Sequence, residues 1–311
     1  MLGCVLRSLT LANLIANVGI VVTGGAVRLT GSGMGCPTWP KCTSDSYAAT
    51  QALGVNGAIE FGNRVLSIIV GMIAVATVLA LWKHPSRALA RWVLAGVLFQ
   101  GFLGGLTVRF HLSPYFVGPH FLFSIVLIAL SYFLWRRVSA AASGRPAAGA
   151  DFAAAATEPR LRPLAWAVTV ISAVVLVIGV IVTGSGPHSG DADAVRTGLD
   201  PELISQLHVD AVFLFLGLSV ALWFAARALS SREVARAATI LLGVSLSQGA
   251  IGFVQYFTNL PIVLVGLHIF GACLVWIATL AVLQATGTGQ DGRSGGLDRQ
   301  VREDAPELVT I

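Results

Sequence analysis

Charge is what this chain has least of. Only 11% of its 311 residues are Asp, Glu, Lys or Arg, whereas 55% are hydrophobic, and the mean hydropathy is +0.79. A water-soluble domain of this length could not cover its surface with so little charge, so a globular aqueous fold is excluded and an integral membrane protein is implied. Cysteine is also scarce, at four residues, which excludes a disulfide-scaffolded secreted fold. Alternation of apolar and polar residues is missing from the hydrophobic stretches, which excludes a transmembrane barrel and leaves helices as the spanning form. The excess of five positive charges is no nucleic-acid signature, because the basic residues stand at the ends of the apolar runs, where solvated anchors are expected.

Eight runs are long enough to span a bilayer: 10–29, 59–81, 92–108, 117–135, 164–182, 205–226, 237–256 and 262–283. The first is too long for a signal peptide and lacks a small-residue cleavage site after it, so it counts as a span. Arg7, Lys83, Arg87, Arg91, Arg136, Arg137, Arg145, Arg160, Arg162, Arg227, Arg232, Arg236, Arg293, Arg299 and Arg302 fall on one side, 15 of the 20 basic residues. That side is read as cytoplasmic, with both termini inside. The expected product is a multi-pass protein of a bacterial cell membrane, with lipid as its principal surroundings.

On the outer side, 30–58 is long and holds Gly31, Gly33, Gly35, Pro37, Trp39 and Pro40. The loop 184–203 is Gly-rich and carries Asp191, Asp193, Asp200 and Glu202. The inner segment 139–162 is rich in Ala, Gly and Pro without hydrophobic period and reads as a linker; 286–311 reads as a disordered cytoplasmic tail. The expected domains are therefore 1–138, a linker 139–162, 163–285, and the tail.

The chain repeats itself. Gln100-Gly101-Phe102-Leu103-Gly104, ending at Val117-Gly118-Pro119-His120, recurs 148 residues later as Gln248-Gly249-Ala250-Ile251-Gly252, ending at Val265-Gly266-Leu267-His268. Val21-Val22-Thr23-Gly24-Gly25 likewise resembles Ile181-Val182-Thr183-Gly184-Ser185. Four spans per half is an even number, so both halves enter the membrane the same way round, as two pseudo-symmetric four-helix bundles in a parallel repeat. A duplication that only packs would not need to keep a histidine at membrane depth, where it is expensive.

Glu60, His120 and His208 stand where their runs begin, and His268 about two turns into the last run. Facing histidines on two helices of a bundle can hold a heme iron from both sides, and His208 with His268 is such a pair. Each alone also fits a hydrogen-bonded interfacial residue. In the first half the pair is broken: the second run offers Glu60-Phe61-Gly62-Asn63-Arg64. Glu60 is read either as half of an ion pair with Arg64 or as a carboxylate held for proton and water chemistry. This asymmetry suits a redox cofactor in one half and a reaction site in the other. His84, His111 and His188 read as solvated loop residues, and Cys4 and Cys273 as small buried apolar ones. Cys36 and Cys42 share an outer loop, where a disulfide is the leading reading and reversible thiol chemistry the alternative. Without further ligand types nearby, a zinc site is set aside.

The run Thr23-Gly24-Gly25-Ala26-Val27-Arg28-Leu29-Thr30-Gly31-Ser32-Gly33, with Cys36-Pro37-x-Trp39-Pro40-x-Cys42, Glu60-x-x-Asn63-Arg64 and the three histidines His120, His208 and His268, resembles the bacterial heme A synthases over residues 10–283. Those membrane enzymes convert heme O to heme A for cytochrome oxidases. The resemblance implies that His208 and His268 hold a resident heme b and that the first half takes heme O as substrate. It further implies His120 as an iron ligand, Glu60 as the catalytic carboxylate, Asn63 and Arg64 in the substrate pocket, and a Cys36–Cys42 disulfide near that pocket. Many members have histidine where this chain has Asn63, so the resemblance leaves His120 as sole ligand, with His111 a weak candidate to assist. A heme O synthase is a natural functional neighbour and an electron acceptor is required, but no motif shows contact with either, and none sets the oligomeric state. Two other readings are a di-heme cytochrome b-type electron carrier, which has no use for Glu60, and a heme transporter or chaperone, which would hand heme on unchanged.

Overall fold

The structure, a computed structural model, describes residues 2–143 and 158–287. Eight helices dominate it: α1 (Leu2–Leu29), α2 (Gly54–Ala80), α3 (Arg87–Arg109), α4 (Pro114–Ala142), α5 (Arg162–Ser185), α6 (Pro201–Ala228), α7 (Arg232–Phe257) and α8 (Ile262–Ala285). All eight are long and apolar enough to cross a membrane, and there is no strand among the described residues. Each helix outruns its apolar stretch. Main-chain hydrogen bonding continues into the polar flanks, where hydropathy no longer reports it. Hence α4 takes in the first residues of the expected linker, while 144–157 of that linker and all but the first two residues of the expected tail lie outside the described residues.

Helices α1 to α4 form a ring in which α1 packs on α2, α2 on α3, α3 on α4 and α4 on α1; α5 to α8 form a second ring in the same order. Among the described residues α2 does not touch α4, nor α6 α8, so each of these pairs lies across a bundle diagonal. The rings join through α1 against α8 and α4 against α5 and α8. The repeat extends to the turns. His111 and Leu112, between α3 and α4, have φ of 50° and 56°; Asn259 and Leu260, between α7 and α8, have φ of 61° and 58°. Leu112 N donates to Thr107 O and Leu260 N to Gln255 O, both at 2.8 Å. Two consecutive non-glycine residues at positive φ are uncommon, and here they occur twice at one register.

Packing is uneven along the bundle axes. Leu81, Val93, Leu134 and Val138 fill the first bundle near the linker end, and Leu161, Val168, Leu222, Val234, Leu241 and Val282 fill the second. A third cluster, with Val18 of α1, Ile128 and Tyr132 of α4 and Cys273 of α8, joins the two. The buried clusters leave out the opposite, loop ends of the two ring interiors, and those ends carry Glu60 and the three histidines. The other span cysteine, Cys4, is exposed rather than buried.

Lipid offers apolar helices no hydrophobic reason to associate, so polar contacts and close packing carry more of the load. In the first bundle Asn13 Nδ2 donates to Thr77 Oγ1 at 3.4 Å, Asn17 Nδ2 to Asn13 Oδ1 at 3.0 Å, and Ser131 Oγ to Asn13 Oδ1 at 3.2 Å, tying α1, α2 and α4. Asn13→Leu leaves Asn17 and Ser131 short of a buried partner and is expected to cost about 1–2 kcal/mol, read as a lower midpoint in detergent-titrated unfolding. Ile15→Leu, at an exposed position of the same helix, should leave the midpoint where it was.

Candidate functional site

Glu60, His120 and His268 each stand six residues after the first residue of their helix, and His208 seven. None begins its helix, contrary to the expectation for Glu60, His120 and His208; the helices start before the apolar runs do. At 1.5 Å per residue the four lie about 9–10 Å inside the loop ends.

Glu60 is 5% exposed, with both oxygens engaged. Its Oε2 accepts from Cys36 N at 2.6 Å, and its Oε1 accepts from Arg64 Nη2 at 2.6 Å and Nε at 3.2 Å. The i,i+4 spacing on α2 brings the pair together. Arg64 then reaches the loop, donating from Nη2 to Cys36 O at 3.0 Å and from Nη1 to Thr38 O at 2.9 Å and Lys41 O at 3.1 Å. Cys36 and Cys42 are joined, with an S–S distance of 2.01 Å. Ion pair and buried carboxylate, posed as alternatives by the sequence, are thus one arrangement, and it latches the disulfide loop onto α2. A carboxylate oxygen can accept two hydrogen bonds, and Oε2 accepts only the Cys36 amide, so the latch leaves acceptor capacity there.

The histidines share a different local design, in which each imidazole lies against a glycine of the preceding helix. A β-carbon at Gly104 of α3 would come 3.5 Å from His120 Cε1, one at Gly252 of α7 3.1 Å from His268 Cε1, and one at Gly179 of α5 3.1 Å from His208 Cε1. Gln100 Nε2 donates to His120 O at 3.0 Å and Gln248 Nε2 to His268 O at 2.7 Å. The Nδ1 atoms of all three rings are buried without a hydrogen-bond partner among the described residues. The His208 ring also interacts with the backbone of Val175, and the His268 ring with that of Gln248. Metal-bound histidines characteristically turn one nitrogen to a backbone carbonyl and the other to the metal. His208 and His268 come from diagonal helices, and their rings lie within electrostatic reach of one another. No cluster of three or more His, Cys, Asp or Glu among the described residues could hold a bare metal ion. Two imidazoles on diagonal helices, each with a buried Nδ1 free of a hydrogen bond, suit an iron whose other ligands come from a planar macrocycle.

Asn63 goes elsewhere. Its Oδ1 accepts from Thr23 Oγ1 of α1 at 2.8 Å, a bond that points it toward α1. His111 is exposed in the α3–α4 turn. His188 and His84 are less free than expected: His188 Nε2 bonds Leu260 O at 2.9 Å and His84 Nδ1 accepts from Ser86 N at 3.0 Å. Sequence reasoning missed the cradling glycines, although Gly104 and Gly252 stand inside the repeated element. It also missed Arg28, whose Nη2 donates to Thr183 O at 2.6 Å, joining the halves beside a Gly33 N to Gly190 O bond of 2.9 Å between the two loops.

Fold and site together define a polytopic membrane protein with histidine pockets at one end of two linked helical rings. Residues 7–188 match the COX15-CtaA family, cytochrome oxidase assembly protein, and the chain belongs to that family. It is 29% identical over 283 residues to a heme A synthase of Symbiobacterium thermophilum, covering 82% of this chain and 89% of that protein. It is 27% identical over 325 residues to a heme A synthase of a Bradyrhizobium species (strain ORS 278), covering 86% of each. A heme A synthase of Alkalihalophilus pseudofirmus is 31% identical over 134 residues, where the match spans 40% of this chain and 44% of that relative.

Proposed function

We propose that this protein is a heme A synthase, oxidising the ring methyl of heme O through an alcohol to a formyl group. The observation that carries the reading is the contrast between the rings: the second carries His208 and His268 on diagonal helices, while the first sets His120 diagonally across from a buried, latched carboxylate. The second ring, 163–285, would hold a resident heme b through His208 and His268. The first, 1–138, would receive heme O, with His120 as iron ligand and Asn63 and Arg64 lining the pocket.

A bound heme b supplies a one-electron relay for the electrons that leave the methyl carbon. The chain's own residues do the rest. Glu60, oriented by Arg64 and the Cys36 amide, accepts a hydrogen bond from water or from a hydroxyl forming at the substrate carbon, and takes its proton. Gly104, Gly179 and Gly252 let the imidazoles sit close to the neighbouring helices, which fixes ring orientation. The disulfide loop, held by Glu60 and Arg64, covers the loop end of α2 and limits water there. The basic residues at the linker end support cytoplasmic termini, with which these pockets would lie near the outer face of a bacterial plasma membrane.

Co-expression with a heme O source tests the reading. Heme A or its alcohol precursor should appear among pigments extracted from the purified protein and separated by reversed-phase chromatography. If heme O is present and no oxidised product forms, the enzyme reading is wrong; heme b alone would point to an electron carrier.

A further inference from the structure

We infer that the first ring gives a bound heme iron a single protein ligand, His120, and leaves the opposite axial side open to a small exogenous ligand such as water or a diatomic molecule. This rests on the reading of that ring as the substrate heme site.

Gly19-Ile20-Val21-Val22-Thr23-Gly24 of α1 corresponds to Gly179-Val180-Ile181-Val182-Thr183-Gly184 of α5. In the second half His208 of α6 lies over Gly179, diagonally opposite His268. In the first half the corresponding place over Gly19 holds nothing: a β-carbon there would meet no atom within 4 Å, and Gly19 is exposed. The other wall is conserved between the halves, since His120 over Gly104 with the Gln100 bond repeats His268 over Gly252 with the Gln248 bond. One imidazole of the pair is therefore kept and its diagonal partner is gone.

The candidates on α2 are already committed. Asn63 turns its amide oxygen to the Thr23 hydroxyl, and a β-carbon at Gly24, not Gly19, would be the one 4.0 Å from its Nδ2. An amide is a poor iron ligand in any case, compared with imidazole. Glu60 has both oxygens occupied by Arg64 and the Cys36 amide, and moving it would release the disulfide loop. His111 stands exposed in the α3–α4 turn. A heme held by one histidine keeps a coordination position whose polarity and access are set by the far wall, the arrangement that admits small ligands in other histidine-ligated hemes.

The test is spectroscopic and independent of turnover. Wild-type protein, His120→Ala and Asn63→His are purified from cells making heme O, and heme stoichiometry, low-temperature electron paramagnetic resonance and carbon monoxide difference spectra are recorded. The wild type should carry two hemes, one low-spin and one high-spin, and only the high-spin one should take up carbon monoxide. His120→Ala should lose the high-spin signal and keep the low-spin one. Asn63→His should offer a second imidazole from α2 on the diagonal from His120, convert the high-spin signal to low-spin and weaken carbon monoxide binding by about tenfold or more. Two low-spin hemes in the wild type with no carbon monoxide uptake would overturn the single-ligand inference while keeping the substrate site. An Asn63→His spectrum identical to wild type would overturn it as well. One heme only, low-spin, in the presence of heme O would overturn the underlying reading of the first ring.

Discussion

Glu60→Gln is expected to abolish conversion of heme O, lowering the rate by about 10²–10⁴-fold, while the second-ring heme stays bound. The choice of glutamine matters because Glu60 does two things at once. Its Oε2 terminates the Cys36 amide and its Oε1 the Arg64 guanidinium, so alanine would strip a buried partner from each. Breaking a buried ion pair on one side costs about 3–5 kcal/mol. Arg64 keeps three carbonyl acceptors in the loop, at Cys36, Thr38 and Lys41, which pulls the cost for alanine toward the lower end. Glutamine keeps the shape and one acceptor but removes the charge and the ability to take a proton. Thiol labelling of Cys36 and Cys42 after mild reduction reports whether the loop is still latched. Loss of product with the loop still protected identifies proton chemistry at Glu60. Retained conversion in Glu60→Gln would reduce the residue to a strut for the loop.

Much of the fold is legible in the sequence because membrane physics writes in long words. Each span must be apolar over about 20 residues, so eight helices and their approximate positions follow from counting. The helix ends do not follow. Polar flanks such as 54–58 and 201–204 continue the helix without adding hydropathy, which is why Glu60, His120 and His208 sit deeper than their apolar runs suggest. The repeat is legible as far as identical letters persist, and it leads directly to His120 and His268. What remains hidden is pairing through space. The Asn63 contact with Thr23 spans 40 residues, and the Cys36 amide on Glu60 spans 24. Neither has a local pattern to announce it. The glycines opposite the rings were in plain view as letters, yet a glycine's role lies in what approaches it, and that depends on which helix is its neighbour in the ring.

His268→Ala is expected to remove the second-ring heme almost completely and, with it, product formation. The residue is held at two points, its main-chain carbonyl by Gln248 Nε2 and its ring by the bare surface of Gly252. His208 approaches from the diagonal helix with the matching cradle at Gly179, so neither histidine can be replaced by a neighbour from an adjoining helix. Gly252→Leu probes the same site without touching a ligand. Even the first added carbon would lie 3.1 Å from His268 Cε1, and the rest of the side chain has to push the ring off its position. The two variants should therefore look alike in the absorbance of the reduced protein: the low-spin heme b band falls to a small remainder in both. His120→Ala should leave that band unchanged, because its ring belongs to the other bundle. Should Gly252→Leu keep a normal low-spin band, the glycine is a packing residue and ring orientation is set by the Gln248 contact alone. Should His268→Ala keep it, the iron is not held across the α6–α8 diagonal.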